Sequence, residues 1–262
     1  MHVLVTGATG GIGRGICEVL AQREPALTLS VASSQSGPRL EALLQMLREQ
    51  GVQAHGFSGD VTQAEAAQRI VQQAIEAGGD LDALVCVAGA SGPGRLADLP
   101  LAQWDLTFNL NARSVFLMAQ AAYPSLQRTR GSITAIASMS GLQPHPGYGA
   151  YSPAKAALIM LCRQLAQEWG PEGIRTNTVC PGMVRTPLTE TVYQDADTRA
   201  RREALVPMGR IGRPDDIGHA VHYLIGPGAG YVNGQNLVVD GGVADHMLTM
   251  IPGRPGQAPV KG

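Results

Sequence analysis

The chain has 262 residues, 44% hydrophobic and 16% charged, so it can bury a large core and carries less charge than the ~25% of an average domain. Its formal net charge of -1 gives no electrostatic case for nucleic acid or an anionic membrane as partner, because phosphate neutralisation needs clustered Lys and Arg. One large domain is expected over 1–246, followed by a Pro- and Gly-rich tail over 247–262 that has no periodicity.

The first predicted strand, 2–6, stands at the amino end with no basic and apolar leader before it. No apolar run approaches ~18 residues, so a soluble cytoplasmic protein is expected. Directly after this strand comes Thr6-Gly-Ala-Thr-Gly-Gly-Ile-Gly13, which opens a helical pattern over 13–23. Glycines between a strand and a helix permit a tight turn and close approach of a pyrophosphate, whose charge then sits at the helix N-terminus. In that context the string points to dinucleotide binding. The second strand, 28–33, runs into Ala32-Ser-Ser-Gln35. A carboxylate at its end, about 20 residues past the glycines, would select NAD by bonding the ribose hydroxyls. None is present, and Ser33 and Ser34 can donate to a 2′-phosphate, so NADP(H) is favoured and NAD(H) stays possible.

Further strands are predicted at 53–57, 83–88, 132–138, 175–179 and 235–239, and helices at 38–50, 63–77, 101–128, 151–169 and 214–224. Strand and helix in alternation imply parallel strands with right-handed crossovers. The expected fold is α/β: a single-domain, Rossmann-like, doubly wound parallel sheet of about seven strands with helices on both faces. Cys17, Cys86, Cys162 and Cys180 form no Cys-x-x-Cys motif and read as reduced core residues. His219 and His222 lack a third ligand at metal spacing, so no metal is expected.

Within Gly147-Tyr-Gly-Ala-Tyr-Ser-Pro-Ala-Lys155, Tyr151 and Lys155 lie four apart and share a helix face. A tyrosine titrating near ~10 must be brought nearer ~7 to exchange protons at neutral pH, at a cost of roughly 4 kcal/mol. One ammonium about 4 Å away supplies roughly that much at an effective dielectric of ~20. A helix start would add to it, since Pro153 is tolerated only in a first turn.

With these residues the chain resembles the short-chain dehydrogenase/reductase family over about 2–242. Gly7, Gly11 and Gly13 fit the family's compact oxidoreductase branch, while Gly7, Gly10 and Gly13 fit the longer sugar-nucleotide branch. Trp104 to Asn111, Ser138 thirteen residues before Tyr151, Cys180-Pro-Gly182 with Thr186, Gly209-Arg-Ile-Gly-Arg-Pro214 and Val239-Asp-Gly-Gly242 match the compact branch. One departure is Cys86-Val-Ala-Gly89, which lacks two amides that would bond the sheet locally.

The resemblance implies an NAD(P)(H)-dependent oxidoreductase interconverting a ketone and a secondary alcohol. Tyr151 would be the general acid or base, Lys155 would lower its pKa and hold the nicotinamide ribose, Ser138 would bond the substrate oxygen, and Asn111 would position Lys155 and a water chain. Gly7, Thr9, Gly11, Ile12, Gly13, Asp60, Val61, Ala88, Gly89, Pro181, Gly182, Val184 and Thr186 would line the cofactor. Loops at 91–95, 140–148 and 183–205 would wall the substrate pocket, with Ser140, His145, Tyr148 and Arg185 as its candidates. Tyr148, seven residues before Lys155, has the spacing of enoyl reductases in the same superfamily, so C=C reduction is an alternative. A nucleotide-binding sensor or structural subunit without turnover is the alternative of another class. The resemblance also implies a homotetramer, or a homodimer.

Overall fold

The structure is a computed structural model in which residues 1–246 are described, so the composition-based tail over 247–262 lies outside the described residues. Seven strands form one sheet: β1 (His2–Thr6), β2 (Thr28–Ser33), β3 (Gln53–Ser58), β4 (Ala83–Cys86), β5 (Ser132–Ile136), β6 (Arg175–Pro181) and β7 (Asn236–Val239). Their order is β3-β2-β1-β4-β5-β6-β7, and every pair is parallel. Every residue of β1, β4 and β5 is buried, as strands covered on both faces must be. The strand order reverses between β1 and β4, which opens a crevice at their carboxyl ends.

The helices are α1 (Gly11–Arg23), α2 (Pro38–Glu49), α3 (Ala64–Gly78), α4 (Leu101–Phe108), α5 (Ser114–Thr129), α6 (Tyr151–Trp169), α7 (Glu190–Gln194), α8 (Ala196–Ala204) and α9 (Pro214–Ile225). One apolar layer joins Ile16 and Leu20 of α1, Leu43 of α2 and Ile217 of α9 to the sheet. The other joins Ile70 of α3, Met118 of α5 and Leu158 of α6. Cys17, Cys86, Cys162 and Cys180 are free and buried in these layers. His222 of α9 bonds Glu24, the residue just after α1, at 2.6 Å. Among the described residues no helix is long and apolar enough to cross a membrane.

The structure departs from the sequence reading in two regions. The single helix expected over 101–128 is interrupted between α4 and α5 by a π-helical turn, Asn109–Arg113. Such a turn adds a residue without breaking the apolar pattern, so a 3.6-residue period does not reveal it. The 183–205 stretch, expected as loop, contains α7 and α8. No residue of α8 is buried, so it has no apolar stripe to read. What fixes its start is Asp195, whose carboxylate accepts from the Thr198 amide at 2.7 Å. Expected strands also ended two residues late, at 88 and 138, where the chain turns into the crevice.

Candidate active site

Gly7 follows β1 with φ of 63°, and a Cβ there would lie 2.7 Å from the Ala88 amide nitrogen. Only glycine fits both demands. Helix α1 then starts after Gly10 with no side-chain cap and no acidic residue in its first turn, which leaves N–H groups near Gly11, Ile12 and Gly13 open to an anion. The segment after β6 reaches this turn, since a Cβ on Gly11 would meet the Thr186 Cβ at 2.6 Å. These features fit a dinucleotide phosphate. The amides absent at 86 and 87 are compensated by Thr6, whose hydroxyl accepts from Val87 N at 3.2 Å and Ala88 N at 3.4 Å.

At the adenosine end the two serines differ. The Ser33 hydroxyl donates to the Gln35 carbonyl at 2.6 Å and accepts from its amide at 3.3 Å, so its proton is already engaged. Ser34 is exposed. Asp60 accepts from the Thr62 amide at 3.0 Å and hydroxyl at 2.7 Å, and these bonds hold its carboxyl below the usual range. Beside it Val61 is buried.

Ser138 stands just beyond β5. Its Oγ caps the short turn Met139–Gly141 by accepting from the Ser140 amide at 3.1 Å. Tyr151 is the first residue of α6, and Pro153 falls in that helix's first turn as expected. One turn on, Lys155 is 3% exposed, with Nζ donating to the Ile136 carbonyl at 2.8 Å. Burial pushes its ammonium down to about 8. The same desolvation raises the Tyr151 phenol; a hydrogen bond with Ser138 opposes the rise and the nearby Tyr148 adds to it. The expectation that Lys155 alone draws the phenol toward neutrality is therefore corrected for the ligand-free site. Nζ is turned to a carbonyl, 5.7 Å from the Tyr151 ring centroid, and burial disfavours both charged forms.

Asn111 sits on the π-helical turn and is fully buried. Its Nδ2 donates to the Ala90 carbonyl at 2.8 Å and the Thr107 carbonyl at 2.9 Å, while Oδ1 has no partner. A Cβ on Gly89 would lie 2.8 Å from that Oδ1 and 3.2 Å from Lys155 Nζ. The two polar atoms therefore border one small space, and an unpartnered buried acceptor calls for a donor there.

The pocket walls expected at 91–95 and 140–148 meet. Gly94 N donates to Gly147 O and Gly149 N to Gly94 O, each at 2.9 Å. The Tyr148 ring stacks on His145 with centroids 3.7 Å apart, and lies 6.5 Å from the Tyr151 ring. His145 bonds Ser140 Oγ through Nδ1 at 2.9 Å and donates its amide to Ser152 Oγ at 3.1 Å. Burial, helped by the charge of Arg202, holds the imidazole below its ordinary value. Glu190 takes the Arg185 guanidinium at 2.6 and 2.9 Å in an exposed ion pair. Val184 is buried and bridges to Gly212, and Gly182 N donates to Val239 O at 3.0 Å, fixing the turn after Pro181. The Ile136 carbonyl, Ser152 and Arg202 escaped the sequence reading, because a backbone acceptor, a helix serine and a charge on a polar helix carry no motif.

A family model described as Enoyl-(Acyl carrier protein) reductase matches residues 7–244. The 2-(S)-hydroxypropyl-CoM dehydrogenase 3 of Xanthobacter autotrophicus is 36% identical over 92% of this chain and 95% of its own length. The L-rhamnose 1-dehydrogenase (NAD(P)(+)) of a Sphingomonas species is 34% identical over 92% and 95%. Among solved structures, an actinorhodin polyketide ketoreductase variant with NADPH superposes with a TM-score of 0.87 at 34% identity, covering 93% of this chain and 97% of that one. Together with the crevice described above, these matches establish that the chain belongs to the short-chain dehydrogenase/reductase family and is an oxidoreductase of carbonyl and alcohol groups.

Proposed function

We propose that the protein reduces a small ketone, or oxidises the matching secondary alcohol, with Tyr151 giving or taking the proton at the substrate oxygen. The observation that carries this is the convergence of Ser138, Tyr151, Lys155 and Asn111 at the carboxyl ends of the central strands, beside an uncapped helix start. Bound nicotinamide cofactor supplies the hydride for reduction, or accepts it in oxidation. Ser138 offers a hydroxyl where negative charge develops on oxygen. Lys155 holds a proton at Nζ, and with its ammonium near 8 it can pass that proton on close to neutral pH. Asn111 Oδ1, facing the same space, suits a bridging water that resupplies it.

NADP(H) is the favoured cofactor. No carboxylate stands at the end of β2 to repel a 2′-phosphate, the exposed Ser34 is free to donate, and the ketoreductase relative was solved with NADPH. The cofactor would lie along Gly7 to Gly13, Asp60, Val61, Ala88, Gly89 and the turn from Pro181 to Thr186. A reductive role on C=C bonds, suggested by the description of the matching family model, would place the proton on Tyr148 instead. Its ring is stacked against His145 and further from Lys155 in sequence, which favours a wall.

A homotetramer in the cytoplasm completes the reading. Leu101, Leu106, Phe116 and Met160 are exposed on α4, α5 and α6, and such a face suits a second copy; free buried thiols suit a reducing compartment. The test is to mix the purified protein with NADPH, then NADH, and a panel of ketones and enones while following nicotinamide absorbance. Faster ketone turnover with NADPH supports the proposal. Enone turnover alone would transfer the role to C=C reduction, and nucleotide binding with no turnover would leave a sensor.

A further inference from the structure

Between the turn Met139–Gly141 and Tyr148 the chain makes an excursion in which Leu142, Gln143, Pro144, Pro146 and Gly147 are exposed, and His145 alone is half-buried. Prolines flank it on both sides. Their fixed φ, with the extended backbone imposed on a residue before proline, narrows the directions in which the imidazole can point.

His145 makes three attachments to the crevice. Its Nδ1 bonds Ser140 Oγ at 2.9 Å, its ring stacks on Tyr148 with centroids 3.7 Å apart, and its amide donates to Ser152 Oγ at 3.1 Å, one residue past Tyr151. Ser140 is buried, and among the described residues its hydroxyl has His145 as its one side-chain partner. The Ser140 amide donates to Ser138 Oγ at 3.1 Å. That bond occupies a lone pair of the Ser138 hydroxyl on the side of the turn, so the hydroxyl proton points away from it. The turn is seated directly on α6, since a Cβ on Gly141 would lie 2.9 Å from the Lys155 carbonyl carbon. A tether on Ser140 therefore acts on a segment already packed between Ser138 and Lys155.

We propose that His145 is a positioning residue: through Ser140 it aims the Ser138 hydroxyl at the substrate oxygen, and through its stacked ring it holds Tyr148 as a wall of the pocket. This rests on the carbonyl and alcohol chemistry proposed for Ser138 and Tyr151. Neither attachment requires the imidazole to touch substrate. They use different parts of the side chain, so each can be cut alone.

The test measures kcat and KM for the best ketone with NADPH, together with Tm, in His145→Phe, His145→Asn, Ser140→Ala and the double variant Ser140→Ala/His145→Phe. His145→Phe keeps a ring on Tyr148 and loses the bond to Ser140, so kcat should fall about 10-fold, the worth of one hydrogen bond, with KM changed less than about 2-fold. His145→Asn sets an amide where Nδ1 stood and loses the ring, so kcat should return to within about 2-fold of wild type while KM rises roughly 5-fold. Ser140→Ala should match His145→Phe, and the double variant should be no slower than either single one. Parallel losses in kcat and KM that track a lowered Tm would reduce His145 to a loop tether and overturn the inference, as would additive losses in the double variant. Wild-type kinetics in all of these variants beside an inactive Tyr151→Phe would overturn it while leaving the carbonyl chemistry intact. No ketone turnover by the wild type would remove that chemistry and the inference together.

Discussion

The two walls of the crevice are built differently. On one side β5, α6 and the π-helical turn hold Lys155 and Asn111 fully buried on backbone carbonyls of Ile136, Ala90 and Thr107. On the other, the segment carrying α7 and α8 has exposed polar faces, held by an ion pair at Arg185 and a cap at Asp195. Proton chemistry needs fixed geometry and a low dielectric, and under the proposed function it would sit where the core over-determines side-chain position. Selection among substrates needs only a few placed groups on a surface that tolerates change. A substitution on the first wall should therefore strike kcat, and one on the second should strike KM.

The largest effect tests the first wall. Tyr151→Phe should lower kcat about 10²- to 10⁴-fold with nucleotide affinity preserved, whereas Tyr148→Phe should cost far less. If Tyr148→Phe is the inactive variant, the assignment of the two tyrosines is reversed.

Lys155→Met separates chemistry from stability on the same wall. Turnover should collapse, yet thermal unfolding at pH 7 should move upward. The folded-state value of the ammonium, about 8, lies below its ordinary 10.5, so between those values the unfolded chain binds more protons and wild-type stability climbs with pH. The burial penalty is complete below pH 8 and gone above pH 10.5. It amounts to as much as ~3 kcal/mol, less whatever the Ile136 bond returns. A lower Tm for the variant at pH 7 would refute this account.

Gly7→Ala should weaken nucleotide binding at least several-fold and destabilise the fold by roughly 1–2 kcal/mol, the cost of a left-handed residue, before the contact with Ala88 is counted. Isothermal titration with NADPH reads the first and denaturant unfolding the second; unchanged affinity would remove Gly7 from the cradle. The smallest effect is expected across the crevice. Glu190→Gln breaks only an exposed ion pair, so unfolding should be unaltered. Denaturant unfolding checks this, and a clear loss of stability would give the pair more weight than its exposure allows.

Much of the first wall could be read from residues alone. The glycine turn, Ser138, Tyr151, Lys155 and Asn111 lie at characteristic spacings, and the buried strands are apolar enough to be seen without alignment. Less legible was how the groups are coupled. The spacing of Tyr151 and Lys155 suggested direct electrostatic tuning, but the Ile136 carbonyl takes the ammonium, and no residue type announces a main-chain acceptor nineteen positions away. The local bond of Ser33 was hidden for a similar reason, since a serine in a turn satisfies its own backbone first. The second wall was hardly legible at all.

What the sequence by itself determined is therefore the doubly wound sheet, the glycine turn after β1 and which polar residues stand at the carboxyl ends of the strands. Each follows from local rules: strand burial, glycine's freedom at positive φ, and a helix that brings residues four apart onto one face. What only the tertiary structure decided is where charges end up. Desolvation of Lys155 and the unpartnered oxygen of Asn111 depend on which distant atoms share a low-dielectric space. Electrostatic energy is set by distance and burial, and residue order constrains neither across elements.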